Sequence, residues 1–246
     1  MFGSLFCRSS SLVESGFFGG LIDYHSHILP KVDDGAGELS ESLAILDRYE
    51  ALGVERVCFT PHIMDYYDGN CATSLRHAFG EFTAQYQGSI RLHLAAEYML
   101  DSRFEEHLSG GDLLTLSDNY LLVETSYLYP PLDFWRRLDD IRSCGYFVVL
   151  AHPERYVYMD QGDYYRLQEA GVALQCNILS LLGYYGTQAK KKAEYLLTNN
   201  MYRFIGSDLH NIKMLDDRII AKKLSNRIVD KLNNLKELSK SLFDER

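Results

Sequence analysis

The sequence predicts an α/β fold with a parallel sheet rolled toward a barrel. Three observations lead there: short apolar runs suited to buried strands recur along the chain, helical patterns lie between them, and no linker divides the 246 residues. The strand-like runs are Leu21–His25, Val54–Thr60, Ile90–Ala96, Tyr120–Glu124, Tyr146–Ala151, Val172–Gln175 and Tyr202–Gly206. Between the first two, Glu38 to Leu52 reads as a helix, with Leu39, Leu43, Leu46 and Leu52 as its apolar stripe and Gly53 as its stop. Further helices are expected around Ser74–Tyr86, Leu132–Ser143, Tyr164–Ala170 and Gln188–Thr198, with a charged terminal helix from about Asp217 onward. Seven strand–helix units in one chain of this length suit a barrel better than an open sheet. Residues 1–20, rich in Ser and Gly, are expected to form a flexible N-terminal tail, leaving a single domain over 21–246.

Composition narrows the function classes. A net charge of −9 and a pI near 5.4 disfavour a nucleic-acid-coating surface, which needs a basic stripe to displace counterions from phosphates. The five cysteines are odd in number, dispersed and without a C-x-x-C pair, so neither a disulfide framework nor a thiolate zinc site is indicated, and a cytoplasmic location is expected. No cysteine has an arginine six positions later, the spacing of thiolate-dependent tyrosine phosphatases. Phosphatase chemistry here would have to rest on metal. No run approaches the roughly 20 apolar residues of a membrane span, so no direct membrane insertion is expected.

In a parallel α/β barrel, side chains at the carboxyl ends of the strands converge on one mouth. The ends of these runs carry ligand-type residues: His25 and His27, then His62, Glu97, Glu124 and His152, and finally Asp208 with His210. His25 and His27 alternate along a strand and so share a face from which both imidazoles can grip one ion. Alone, an H-x-H is also compatible with two satisfied surface histidines. Asp23, on the same face, is a candidate to orient a histidine from behind. Asp33 and Asp34 precede a glycine, which fits a turn as well as a metal site. Glu97 and Glu124 end buried strands, where an unpaired carboxylate is expensive. Arg155 suits a bidentate grip on a tetrahedral oxyanion, or an ordinary salt bridge. A mixed N/O set without cysteine favours manganese, iron or zinc in a reactive rather than a structural site. His77, His93 and His107 fall away from strand ends and are taken as surface or core residues. Tyr66, Tyr67, Tyr127, Tyr129, Tyr156 and Tyr158 follow strand ends, where they either wall an aromatic pocket or cover the rim.

The segments Ile22–Pro30 with Val32–Gly35, Thr60–His62, Ala96–Tyr98, Leu122–Glu124, Ala151–Arg155 and Gly206–Asn211 resemble, in order and spacing, the bacterial PHP-type (polymerase-and-histidinol-phosphatase) tyrosine-protein phosphatases of capsular and extracellular polysaccharide synthesis. The resemblance runs from about Leu21 to His210. It implies a distorted (β/α)7 barrel, three divalent metal ions, commonly manganese, and hydrolysis of phosphotyrosine on a membrane-associated tyrosine autokinase. It also implies the ligand sets: His25, His27, Glu97 and Asp208 for one ion; Glu97, bridging, with Glu124 and His152 for a second; Asp34, His62 and His210 for the third. Arg155 matches the arginine that grips the phosphate. A further family arginine after the last histidine is not matched, because Asn211-Ile212-Lys213-Met214-Leu215 intervenes. Lys213 is a candidate to bind substrate in its stead, and Arg218 is the next arginine.

The expected chemistry is attack of a metal-activated water on phosphorus, with Arg155 neutralising phosphoryl oxygens. A phosphatase of a small ester such as histidinol phosphate shares the same metal set and differs in the pocket. A nuclease-like diesterase and a non-catalytic metal-binding scaffold are the remaining alternatives. The acidic charge disfavours the first, and the complete ligand set disfavours the second.

Overall fold

A computed structural model describes residues 9–244, the final stretch 241–244 by its backbone alone. The first half of the chain contributes β1 (Ser9–Ser11), β2 (Ile22–Asp23), α1 (Leu39–Leu52), β3 (Arg56–Phe59), β4 (His62–Ile63), α2 (Ala72–Thr83), β5 (Arg91–Leu94), β6 (Glu97–Met99), α3 (Phe104–Gly110) and β7 (Tyr120–Glu124). The second half adds α4 (Phe134–Ser143), β8 (Phe147–Leu150), α5 (Gln161–Glu169), β9 (Ala173–Asn177), α6 (Ile178–Leu181), α7 (Gly186–Thr198), β10 (Tyr202–Gly206), α8 (Ile212–Met214), β11 (Lys223–Ser225) and α9 (Asn226–Asp244).

Parallel pairing builds one wall from two ladders, β2-β3-β5 and β10-β9-β8-β7-β6-β4. The chain passes from β3 into β4 through Thr60-Pro61 and from β5 into β6 through Ala95-Ala96, so the ladders are the lower and upper parts of shared strands. Proline has no N–H to donate, and the ladder breaks beside it. Ala95 N–H to the Phe59 carbonyl (2.8 Å) and Glu97 N–H to the Pro61 carbonyl (3.1 Å) carry the contact across the break. At the opposite seam, the amides of Tyr24, His27 and Asp208 donate to the carbonyls of Ile205 (3.0 Å), Leu209 (2.8 Å) and His25 (2.8 Å). A parallel bridge between Ser26 and Leu209 completes that seam. First and last strands thus join, and the wall closes into a distorted barrel.

The period of two along each strand sorts its residues. Leu121, Val123, Val148, Leu150 and Ile205 belong to the large cluster beneath the helices, which also holds Ile45, Leu46, Leu138, Ile141, Leu167 and Leu196. The alternate residues Cys58, Ala95, Leu122, Val149, Ala151 and Phe204 form a separate, smaller cluster inside the barrel. One further step of two along the strands leads from Ala95 to Glu97 and from Leu122 to Glu124. The ligand-bearing positions therefore sit directly above an apolar plug.

Two expectations are corrected. Residues 9–20 are not a flexible tail: β1 pairs antiparallel with β11, and Leu12, Phe17 and Phe18 are buried in the main cluster. The Lys236 ammonium, itself buried, donates to the carbonyls of Phe17 (3.0 Å) and Gly19 (2.9 Å) and pins the segment to α9. The backbone ladder holds the serines, and the three apolar side chains supply the burial. The remainder of the expected tail, residues 1–8, lies outside the described residues. The terminal helix begins at Asn226 rather than near Asp217, because a wide π turn (Leu215–Ile220) and β11 come first. The short helices α3, α6 and α8 are unforeseen, being too brief to display a helical period. No helix among the described residues is long and apolar enough to cross a membrane.

Candidate metal centre

The upper parts of the barrel strands and the segments that follow them deliver His25, His27, Asp34, His62, Glu97, Glu124, His152, Asp208 and His210 to one cluster, Asp34 from the bend between β2 and α1. Three overlapping groups have ligand atoms within 4.8 Å of one another: His27, Asp34, His62 and His210; His25, His27 and Glu97; and His62, Glu97 and Glu124. Around the second group, Glu97 Oε2 lies 3.2 Å from His25 Nε2 and 3.3 Å from His27 Nε2, while Asp208 Oδ1 lies 3.7 and 3.5 Å from the same nitrogens. His152 Nε2 stands 2.9 Å from Glu97 Oε1 and 3.9 Å from Glu124 Oε2. Asp34 Oδ1 is 3.5 Å from His62 Nε2 and 3.6 Å from His210 Nε2. Glu97 and His62 thus each touch more than one group, and the donors form a continuous array.

Other side chains fix the imidazoles. His25 Nδ1 is 3.0 Å from Gln175 Oε1, which also accepts from the His152 amide (3.1 Å). His27 Nδ1 is 2.9 Å from Asp33 Oδ2, which accepts in addition from the His62 amide (3.1 Å). Each contact leaves Nε2 to face the cluster, the usual way a ligand ring is oriented from behind. The ring-orienting task expected of Asp23 therefore falls to Gln175 and Asp33. Asp23 instead accepts from the amides of His25 (3.3 Å) and Ser207 (2.8 Å) and from the hydroxyls of Ser207 (2.6 Å) and Tyr49 (3.0 Å). It ties β2 to the end of β10 through the backbone. His152 and Asp208 both adopt positive φ (32° and 54°), a costly conformation for such residues that persists where surrounding contacts enforce it.

Charge is balanced inside the cluster. Burial alone pushes the Asp33 carboxyl up, but the His27 ring outweighs it and holds the group at about 2. Burial likewise opposes ionisation of Glu97 and Asp208, yet His25 and His152 hold Glu97 well below the usual carboxylate range, and Arg155 with His25 does the same for Asp208. His27 moves the opposite way: burial disfavours its charge, and Asp33 and Glu97 overcome that and raise it. A divalent ion fits this donor set. The buried atoms His62 Nδ1, Glu97 Oε2 and Glu124 Oε1 make no hydrogen bond although His62 Nδ1 stands 3.2 and 3.0 Å from the two oxygens. Buried groups of this kind require a cation or a proton. The nitrogen and oxygen donors without thiolate match hard or borderline metals.

The cluster opens into a cavity of about 400 Å³ lined by Asp34, His62, Tyr127, Arg155, Tyr184, Tyr185, Asp208, His210, Asn211 and Met214. Arg155 is the organised cation there. Its guanidinium donates to Asp208 Oδ2 (2.7 Å) and lies over the rings of Tyr127 (4.2 Å to the centroid) and Tyr185 (3.9 Å). Asn177 Nδ2 (2.7 Å) and the Tyr185 hydroxyl (2.9 Å) donate to the same Asp208 oxygen, leaving Oδ1 to the histidines. Of the tyrosines flagged along the chain, Tyr127 lines the cavity and Tyr67 stacks on His62 at 5.9 Å. Tyr156 is fully buried, its hydroxyl accepting from the Thr125 amide. Tyr158 lies against Thr125 instead (2.5 Å), while Tyr66 and Tyr129 are exposed and absent from the cavity wall. Tyr184 and Tyr185 were not anticipated, since they follow the short α6 rather than a strand. Lys213 is not brought to the site. It is exposed on α8 while its neighbours Asn211 and Met214 line the cavity. Arg218 sits behind Tyr184, 5.7 Å from the ring centroid. His77 is exposed, His107 packs on Tyr98, and His93 meets the Thr115 carbonyl, all away from the metal cluster.

Comparison with known proteins agrees with this geometry. Tyrosine-protein phosphatase YwqE of Bacillus subtilis is 32% identical over 199 residues, covering 78% of each chain. Tyrosine-protein phosphatase CpsB of Streptococcus pneumoniae is 29% identical over 226 residues, covering 82% of this chain and 90% of its own. A solved structure from work on YwqE and CpsB, described as unique metal-dependent tyrosine phosphatases, superposes with a TM-score of 0.76 at 28% identity over 91% of this chain and 92% of the other. A zinc-bound histidinol phosphate phosphatase from Lactococcus lactis shares the fold, with a TM-score of 0.51 and 17% identity over 89% of this chain and 93% of the other. The profile of the capsular polysaccharide synthesis family CpsB/CapC matches residues 21–237, and this chain belongs to that family.

Proposed function

We propose that this chain is a metal-dependent protein-tyrosine phosphatase acting on phosphotyrosine of a membrane-associated tyrosine autokinase in capsular or extracellular polysaccharide synthesis, from the cytoplasmic side. The observation that carries the reading is a buried N/O ligand array opening into a tyrosine-walled cavity beside a single preorganised arginine. The cavity leads to the surface past Tyr127 and Tyr184, so a phosphotyrosine on a protein segment can approach. The relatives named as tyrosine phosphatases support the choice of substrate.

Three divalent ions, manganese foremost and iron or zinc as substitutes, would be held by the sets His25/His27/Glu97/Asp208, Glu97/Glu124/His152 and Asp34/His62/His210. When bound, such ions neutralise phosphoryl oxygens and make water acidic enough to attack at neutral pH. The remaining work belongs to the chain. Asp208, with one oxygen clamped by Arg155, Asn177 and Tyr185, holds the other in a fixed place among the histidines. Arg155, wedged between two ring faces, has little freedom to lose when it meets phosphate oxygens, which is how preorganised charge lowers a barrier. Tyr127 and Tyr185 keep water from the guanidinium and present faces to a phenyl ring. Phenolate, with a solution pKa of about 10, leaves without a dedicated acid.

The experiment is phosphate release by manganese-loaded protein from a phosphotyrosine peptide and from histidinol phosphate. Peptide turnover that falls about a hundredfold to a thousandfold in Asp208→Ala is expected, given the size of electrostatic effects at such sites. Preference for histidinol phosphate would overturn the substrate, and full activity of Asp208→Ala would overturn the site.

A further inference from the structure

A second cationic pocket adjoins the cavity just described. It encloses about 220 Å³ and is lined by Leu182, Gly183, Tyr184, Arg218 and Lys222. Tyr184 belongs to both walls, so the two spaces are neighbours across one aromatic ring. The cations are arranged in series. Arg155 lies 3.9 Å from the centroid of Tyr185, Tyr185 packs edge-on against Tyr184 at 4.9 Å, and Arg218 lies 5.7 Å beyond Tyr184.

Two further observations separate this pocket from an ordinary solvated face. Among the described residues, no carboxylate lies within ion-pair distance of Arg218 or Lys222, whereas Arg48 holds Asp216 (3.3 Å) and Lys223 holds Glu14 (3.3 Å) close by. In a chain of net charge −9, two unpaired cations converging on one concavity form a local reversal of sign. The backbone beneath Arg218 is also special: Leu215–Ile220 forms a π turn that buries Leu215 and Ile219 and leaves Arg218 at the mouth. Such wide turns are rare and concentrate at functional sites.

We infer that this pocket is a specificity subsite that receives the carboxylate of an Asp or Glu close in sequence to the phosphotyrosine of the substrate peptide. The inference rests on the phosphatase reading above and adds a substrate preference to it. Reach is adequate, because an extended peptide advances about 3.4 Å per residue, and a few residues span the two-ring wall between the guanidinia. Arg218 offers a fork to the carboxylate and Lys222 a point charge, while the Tyr184 face shields one side of the pair from water.

The test compares two phosphotyrosine peptides, one with Glu and one with Gln at the second to fourth positions on both sides of the phosphotyrosine. The readout is the ratio of their kcat/KM values for the manganese-loaded wild-type protein and for Arg218→Gln/Lys222→Gln. A ratio of about three to ten, carried by KM and shrinking at high salt, is expected for wild type, as befits partly exposed charge pairs. The ratio should approach one in the double variant. Because each protein is compared with itself on two peptides, a partial loss of folded enzyme leaves the ratio intact. Turnover of both peptides with a wild-type ratio near one, or a ratio that survives the double substitution, would overturn the subsite while leaving the phosphatase reading in place. Turnover of neither peptide would overturn both.

Discussion

Gln175 shows what a single side chain contributes here. Its carbonyl oxygen fixes the His25 ring and the His152 amide at once, and its amide nitrogen donates to the Cys176 carbonyl (2.6 Å). Gln175→Leu keeps most of the volume and deletes these contacts, so His25 loses its tautomer control and His152 its anchor. Metal affinity is expected to fall about tenfold to a hundredfold with the fold retained, measurable by titrating metal into the apo protein. An unchanged affinity would mean that the rings are held by packing alone. Gly206 supports the same ring by having no side chain: a Cβ there would lie 2.4 Å from His25 Cβ and 2.6 Å from Gln175 Nε2. Gly206→Ala is therefore expected to push His25 out of place and lower the bound metal per protein, as read by elemental analysis; full occupancy would show that β10 can yield. Such contacts explain which parts of the site were legible beforehand. His25, Glu97, Glu124 and Asp208 announced themselves because charged or imidazole groups at the ends of apolar strands have no packing reason to be there. Gln175, Asn177 and Tyr185 are ordinary residues whose roles arise from neighbours far along the chain. Lys213 failed by position: on a single turn of helix, Asn211 and Met214 line the cavity, Ile212 packs against the core and Lys213 is exposed.

At the scale of elements, the strand–helix alternation was readable because each barrel strand is a short apolar run and each long helix has a stripe of matching period. The N-terminal segment was not. Ser9–Ser11 has a composition suited to a loop, and its strand exists only because β11, more than two hundred residues away, offers a free edge. Residues 12–18 form turns that display neither a helical nor a strand period, yet Phe17 is fully buried against the main core, its carbonyl held by Lys236. Removing that ring leaves a cavity between the barrel and α9. Phe17→Ala is expected to cost about 3–5 kcal/mol of stability, the usual range for a buried aromatic truncated to alanine, as measured by a shift of the denaturation midpoint. A loss below about 0.5 kcal/mol, the range typical of surface substitutions, would show the segment to be dispensable.

Across the whole molecule, the ligand array does for the barrel what a clasp does for a ring. His25 and His27 follow β2, Asp208 and His210 follow β10, and His62, Glu97, Glu124 and His152 stand on or just after the strands between. A metal bound to this set therefore bridges the seam where the amides of Tyr24, His27 and Asp208, the Ser26–Leu209 bridge and the Asp23–Ser207 hydrogen bonds join the two ends of the wall. Binding to the folded state alone stabilises it by RT ln(1 + [L]/Kd), about 2.7 kcal/mol at a free metal concentration one hundred times Kd. Manganese should accordingly raise the melting temperature in proportion to the logarithm of its concentration, and chelation should reverse the gain. The increase in protection from hydrogen exchange should be greatest at the seam amides, because local opening there separates ligands on the first strand from ligands on the last. Equal protection of the seam and of the β7–β8 ladder would indicate that metal stabilises the barrel without closing it, and an unchanged melting temperature would mean that these residues do not hold the ions.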